Sequence, residues 1–109
     1  KNRLKKEKDF QRVFDRGRFI NSDLISVRFL ANGTDDTRVG FIVSKKVSKK
    51  AVLRNKVKRM LRETMRLNMG GTKEGFDIII TAKSNISKAR PEEVDETLKG
   101  LLKRSNLIK

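Results

Sequence analysis

Between Lys45 and Arg66 the chain reads KKVSKKAVLRNKVKRMLRETMR, ten lysines or arginines against one acid, Glu63. Within it Arg54, Lys58, Arg62 and Arg66 recur at every fourth position, an interval that an α-helix converts to about 6 Å. That interval resembles the phosphate repeat of a nucleic-acid strand, so the chemistry these side chains suit is anion binding by charge-assisted hydrogen bonds. Like charges four apart on a helix repel one another, and a polyanion relieves the repulsion. Ordinary solvated faces intersperse both signs; this one hardly does.

The same stretch keeps apolar residues at helical spacing. Turning about 100° per residue from Leu53 gathers Val57, Met60, Leu61, Thr64 and Leu67 on one side, and Arg54, Asn55, Lys58, Arg59, Arg62 and Arg66 on another. A helix over 50–68 is therefore expected to dock on a core and present a cationic ridge at once, with Lys50 at its start. The Asn55 amide both donates and accepts, which suits a ribose 2′-hydroxyl or a base edge. Lys45 and Lys46, at the end of a predicted strand, are expected to meet phosphate.

The 109 residues carry 28 basic and 13 acidic side chains, a formal charge of +15, and neither cysteine nor histidine. A field of this sign attracts RNA, DNA or anionic lipid, and the missing residue types exclude disulfides and Cys/His zinc sites. A nuclease centre would have to be made of carboxylates. Asp35 and Asp36 share a turn and Asp77 begins a strand, but no spacing sets several acids on one face beside the ridge. No catalytic residue and no metal ligand is assigned, and Asp77 is expected to solvate a strand edge. No apolar run approaches the roughly 20 residues of a membrane-spanning helix. With no signal segment read, the default setting is cytoplasmic and away from membrane.

The elements that must position the ridge are legible from periodicity. Phe10, Val13 and Phe14 share a face of a first helix over 5–16, with Gly17 as its C-cap. The aromatic pair suits either a core or a stacking platform, and exposure decides between them. Alternation over 24–30 puts Ile25, Val27 and Phe29 on one face of a strand. A second strand over 37–44 puts Val39, Phe41 and Val43 inward. With the Asn32-Gly33 turn cluster between them, these two strands are expected to pair as an antiparallel hairpin. A third, more buried strand covers 76–83, and Pro91 opens a last helix with Val94, Leu98, Leu101 and Leu102 as its apolar face. Gly100 inside that helix either weakens it or marks close packing. The fold class is α+β, a single-domain α/β sandwich over 1–109 in the order α-β-β(-β)-α-β-α. One sheet face is apolar and helix-covered. The other, with Ser26, Arg28, Gly40 and Ser44, is expected to stay open as a groove for a single strand.

The motifs resemble those of the bacterial ribonuclease P protein subunit. VSKK at 43–46 is followed by KAVLRN, KVKR and MLRE, so that Arg54-Asn55, Lys58-Arg59 and Arg62-Glu63 fill the pattern RN-x-x-KR-x-x-RE. RLKKEKDFQRVFDRG at 3–17, together with size, charge and element order, extends the resemblance over nearly the whole chain.

The resemblance implies a mostly antiparallel sheet with one parallel, left-handed βαβ crossover around the basic helix. It also implies a protein cofactor of a catalytic RNA that removes the 5′ leader of precursor tRNA, the RNA performing the hydrolysis with Mg²⁺ that it mainly binds itself. Lys50, Arg54, Asn55, Lys58, Arg59, Arg62 and Arg66 are then expected on the catalytic RNA. Phe10, Phe14, Arg28, Ser44, Lys45 and Lys46 are expected on the leader. The implied partners are the catalytic RNA and precursor tRNA, with no protein partner required. Two features depart from the family pattern: Arg28 stands where many relatives carry an aromatic residue, and no Gly-Asn precedes Ala51. The alternative is a structural RNA-binding protein of ribosomal type, which shares charge and sandwich but needs no leader cleft.

Overall fold

Ile78, Ile79 and Ile80 are wholly buried, and the strand that carries them has a neighbour on each edge. The computed structural model describes residues 2–108; Lys1 and Lys109, the ends of the expected domain, lie outside them. In chain order the elements are β1 (Asn2–Arg3), α1 (Glu7–Arg16), β2 (Arg18–Asn21), β3 (Ile25–Ala31), β4 (Arg38–Ile42), α2 (Ala51–Asn68), β5 (Phe76–Ala82) and α3 (Pro91–Arg104). Short 3₁₀ turns at Met69–Gly71 and Ser84–Lys88 flank β5. The sheet runs β1-β4-β5-β3-β2, with β5 parallel to β4 and antiparallel to β3.

That order corrects the expected hairpin of 24–30 with 37–44. β5 inserts between β3 and β4, because an uninterrupted apolar run loses most by lying at an edge and gains most with both faces and both edges covered. The hairpin that does form is β2 with β3, antiparallel, with Phe19 opposite Arg28. The α+β class and the parallel strand–helix–strand unit around α2 hold. β1 adds a second parallel pairing on β4, so the sheet is mixed.

Two cores flank the sheet. On one face Val57, Leu61 and Met65 of α2 and Val94, Leu98, Leu101 and Leu102 of α3 pack against Ile25, Val27, Ile78 and Ile80. On the other, Val13 and Leu4 close over Ile79, with Phe10, Leu30 and Ile42 at the margin. The second face is therefore partly roofed by α1 rather than open, since Ile79, Leu30 and Ile42 all need cover. Gly40 lets α1 come down, because a Cβ there would lie 2.4 Å from Phe10 Cζ. The core stripe of α2 is also narrower than the wheel from Leu53 suggests. Leu53 and Leu67 are 44% and 66% exposed while Met65 is buried, because the helix ends overrun the core.

α1 is fastened by charge as well as packing. Contrary to the expected solvated edge, Asp77 is buried, its side chain 1% exposed. It accepts hydrogen bonds from Arg38 Nε at 2.8 Å and Nη2 at 2.7 Å, Asn32 Nδ2 at 3.0 Å and Arg12 Nη2 at 3.2 Å. Asp9 of α1 accepts from Arg12 at 3.1 Å and Arg38 at 3.2 Å. Burial pushes the Asp77 carboxyl up, but the hydrogen bonds from Arg38 and Asn32, with the Arg38 charge and the Arg12 bond, outweigh it and hold it below the usual carboxylate range. The Asp77 hydrogen bond raises Arg38 in turn, against the opposing effect of burial.

Candidate nucleic-acid interface

α2 presents its cations in three conditions. Arg54, at the N-terminal end, folds back so that Nη1 donates to the Ser48 and Lys49 carbonyls at 3.0 and 2.8 Å. It thereby fixes the loop that follows VSKK to the helix. Arg66, at the other end, donates through Nε to Glu63 at 3.0 Å, and that hydrogen bond draws the Glu63 carboxyl down. Between them Lys58, Arg59, Arg62 and Asn55 have no hydrogen-bonded protein partner among the described residues, and Arg59, Arg62 and Asn55 are exposed. The ridge available to an anion is thus the middle of the helix. Lys50, exposed at the N-cap position, continues it toward the loop.

The aromatic pair of α1 divides. Phe10 is half-buried, its ring laid against Gly40, whereas Phe14 is 39% exposed. Phe14 faces Arg28 of β3, whose guanidinium carbon sits 5.1 Å from the Phe14 ring centre and 4.5 Å from that of Phe19. Arg28 thus contacts two exposed rings, Phe19 being 51% exposed. Contacts of this kind contribute about 0.5–1 kcal/mol each at exposed sites and hold the guanidinium and the two rings together as one planar cationic and aromatic surface. Sequence reading missed Phe19, because RFIN over 18–21 is too short to show a strand period. The one signal was an unexplained aromatic just after Gly17. Ser44, Lys45 and Lys46 are exposed in the turn that follows β4, a strand that β5 separates from the β3 strand of Arg28. The structure does not bring them into contact with the stack.

The acids do not gather for metal. Among the described residues no group of three or more Asp or Glu is placed to hold an ion, and Asp9 with Asp77 is occupied by arginines. No helix is long and apolar enough to cross a membrane among those residues.

A family model described as Ribonuclease P matches residues 1–106. The chain belongs to the ribonuclease P protein family. It is 42% identical over 107 residues to the ribonuclease P protein component of Alkaliphilus oremlandii, covering 98% of this chain and 93% of that one. To the component of Clostridioides difficile it is 37% identical over 105 residues, covering 95% and 91%. The solved ribonuclease P protein of Staphylococcus aureus superposes with a TM-score of 0.90 at 31% identity, covering 100% and 99%. That of Thermotoga maritima gives 0.85 at 35%, covering 95% and 97%. As in other ribonuclease P proteins, the architecture here is one α+β domain with three helices on a mixed sheet.

Proposed function

We propose that this chain is the protein subunit of a ribonucleoprotein that removes the 5′ leader of precursor tRNA, binding the catalytic RNA through α2 and the leader beside α1. In this reading the RNA carries out the hydrolysis with Mg²⁺ that it holds, and the protein supplies cations and stacking surface. It has no protein catalytic residue, needs no second protein and works in the cytoplasm.

The observation that carries the proposal is the placement of two different RNA-binding chemistries on opposite flanks of one small domain. Lys58, Arg59 and Arg62 offer closely spaced cations along one helix, which suits a folded RNA backbone. Phe14, Arg28 and Phe19 offer planar surface around one cation, which suits unpaired bases. A leader is single-stranded and a catalytic RNA is largely folded, so the two surfaces match the two partners. Lys45, Lys46 and Ser44 extend the single-strand path as phosphate contacts along the end of β4.

Reconstitution with a ribonuclease P RNA at low Mg²⁺ tests this. Leader removal that needs the protein is the expected result. RNA binding without any stimulation of cleavage would instead favour a structural RNA-binding protein of ribosomal type.

A further inference from the structure

At the β1 edge of the sheet lies a cavity of about 300 Å³ where Arg3, Lys5 and Phe41, to which no role has been given, meet Lys58 and Arg62 of the α2 ridge and Phe10 of α1. β1 runs parallel to β4, and the Leu4 N–H donates to the Val39 carbonyl at 3.0 Å. Leu4 is buried in the α1 core, so this segment is pinned, and period-two alternation sets Arg3 and Lys5 on a common side. Both line the cavity, facing Lys58 and Arg62 from α2. Phe41 of β4, half-buried, stands between the walls, with the Arg62 guanidinium carbon 6.0 Å from its ring centre. No acid is among the described residues of the lining. Of the acids around it, Asp9, Asp77 and Glu63 are committed to Arg12, Arg38 and Arg66, while Glu7, two residues past Lys5, is exposed and forms no part of the lining.

Four cations that converge without a counter-charge call for an anion, and the ring beside them adds a demand for planar apolar surface. Inorganic phosphate leaves Phe41 unused, a neutral base leaves the cations unused, and a duplex backbone does not enter a concave site. The volume lies at the low end of the roughly 300–1,000 Å³ typical of ligand pockets. We propose that this cavity takes one unpaired nucleotide of the catalytic RNA, its phosphate held by Arg3, Lys5, Lys58 and Arg62 and its base against Phe41. The inference rests on the proposed function. Catalytic RNA rather than leader is the source because Lys58 and Arg62 continue the α2 ridge. The Phe14, Arg28 and Phe19 stack, by contrast, lies at the β3–β2 end of the sheet, across β5.

The test uses the full chain with a ribonuclease P RNA, measuring affinity against salt, together with the preference of the assembled particle for precursor over mature tRNA. Arg3 and Lys5 are exposed and have no hydrogen-bonded side-chain partner among the described residues, so replacing both with alanine spares the fold. That variant is expected to bind the RNA about tenfold more weakly, and to lower the slope of log affinity against log salt by up to about 0.7, the value for one single-strand phosphate contact. Phe41→Leu is expected to weaken binding by about tenfold with the slope unchanged, and both variants are expected to keep the tRNA preference. Unchanged RNA affinity and slope in the Arg3/Lys5 variant would overturn the inference alone, as would a loss of tRNA preference with RNA binding intact, which would make the occupant a leader nucleotide. Wild-type affinity in Phe41→Leu would reduce the cavity to an anion site and overturn it too. Failure of the unaltered chain to bind the catalytic RNA would overturn both this inference and the proposed function.

Discussion

The Arg28 guanidinium lies 4.5 Å from the centre of the Phe19 ring, directly across the β2–β3 ladder. Cross-strand register fixes that contact, and α1 brings Phe14 to the same guanidinium at 5.1 Å. An arginine at this strand position thus acts with two rings instead of standing in for one. Phe19→Ala and Phe14→Ala are each expected to reduce the preference for precursor over mature tRNA by about tenfold, one stacked base being worth about 1–3 kcal/mol. Catalytic-RNA affinity should stay within twofold. Equal losses for both tRNA forms would remove the stack from the leader path.

Asp77 gives the fold a pH dependence of known sign. Its carboxyl titrates lower in the folded chain than in the unfolded one, so the stabilisation is fully present above the unfolded value of about 3.9 and is lost as pH falls through the lower folded value. Asp77→Asn should cost about 2–3 kcal/mol at neutral pH, at or below the low end for breaking a buried pair because Arg38 and Arg12 are partly exposed and reach water. Urea unfolding from pH 7 to pH 2 should show the gap between wild type and variant closing below about pH 4. A gap constant over that range would mean that Asp77 ionisation does not hold α1 down.

Neither local propensity nor packing explains Gly100. A Cβ there meets nothing within 4 Å, and α3 continues through it to Arg104. Close packing, one of the two readings the sequence allows, is therefore ruled out. Gly100→Ala should stabilise the chain by about 0.5–1 kcal/mol, raising the melting temperature by several degrees. A lower melting temperature would contradict the open space around it.

Most elements were readable because their apolar periods are clean. α2 and β5 start and stop within a residue or so of the breaks read at Lys50, Gly70 and Lys83. Pairing was not readable: alternation in 24–30 and 37–44 marks strands but carries no information on which edge β5 will take. Asp77 looked like an edge acid because its partners, Arg12, Asn32 and Arg38, are 39 to 65 residues away. The ridge was visible as a pattern. That Arg54 and Arg66 turn onto a loop and a neighbouring acid depends on side-chain geometry that a helical wheel does not contain.

The central claim is that the middle of α2 binds the catalytic RNA through its backbone. The most direct measurement is the salt dependence of that affinity for wild type and for a chain with Lys58, Arg59 and Arg62 all changed to alanine. A lost duplex phosphate contact lowers the slope of log affinity against log salt by about 0.9 and a lost single-strand contact by about 0.7, so a drop of about 1.6 is expected where Lys58 and Arg62 share the cavity's one phosphate and about 2.7 where each meets its own, with Arg59→Ala alone accounting for about one unit. A slope unchanged from wild type would contradict the account.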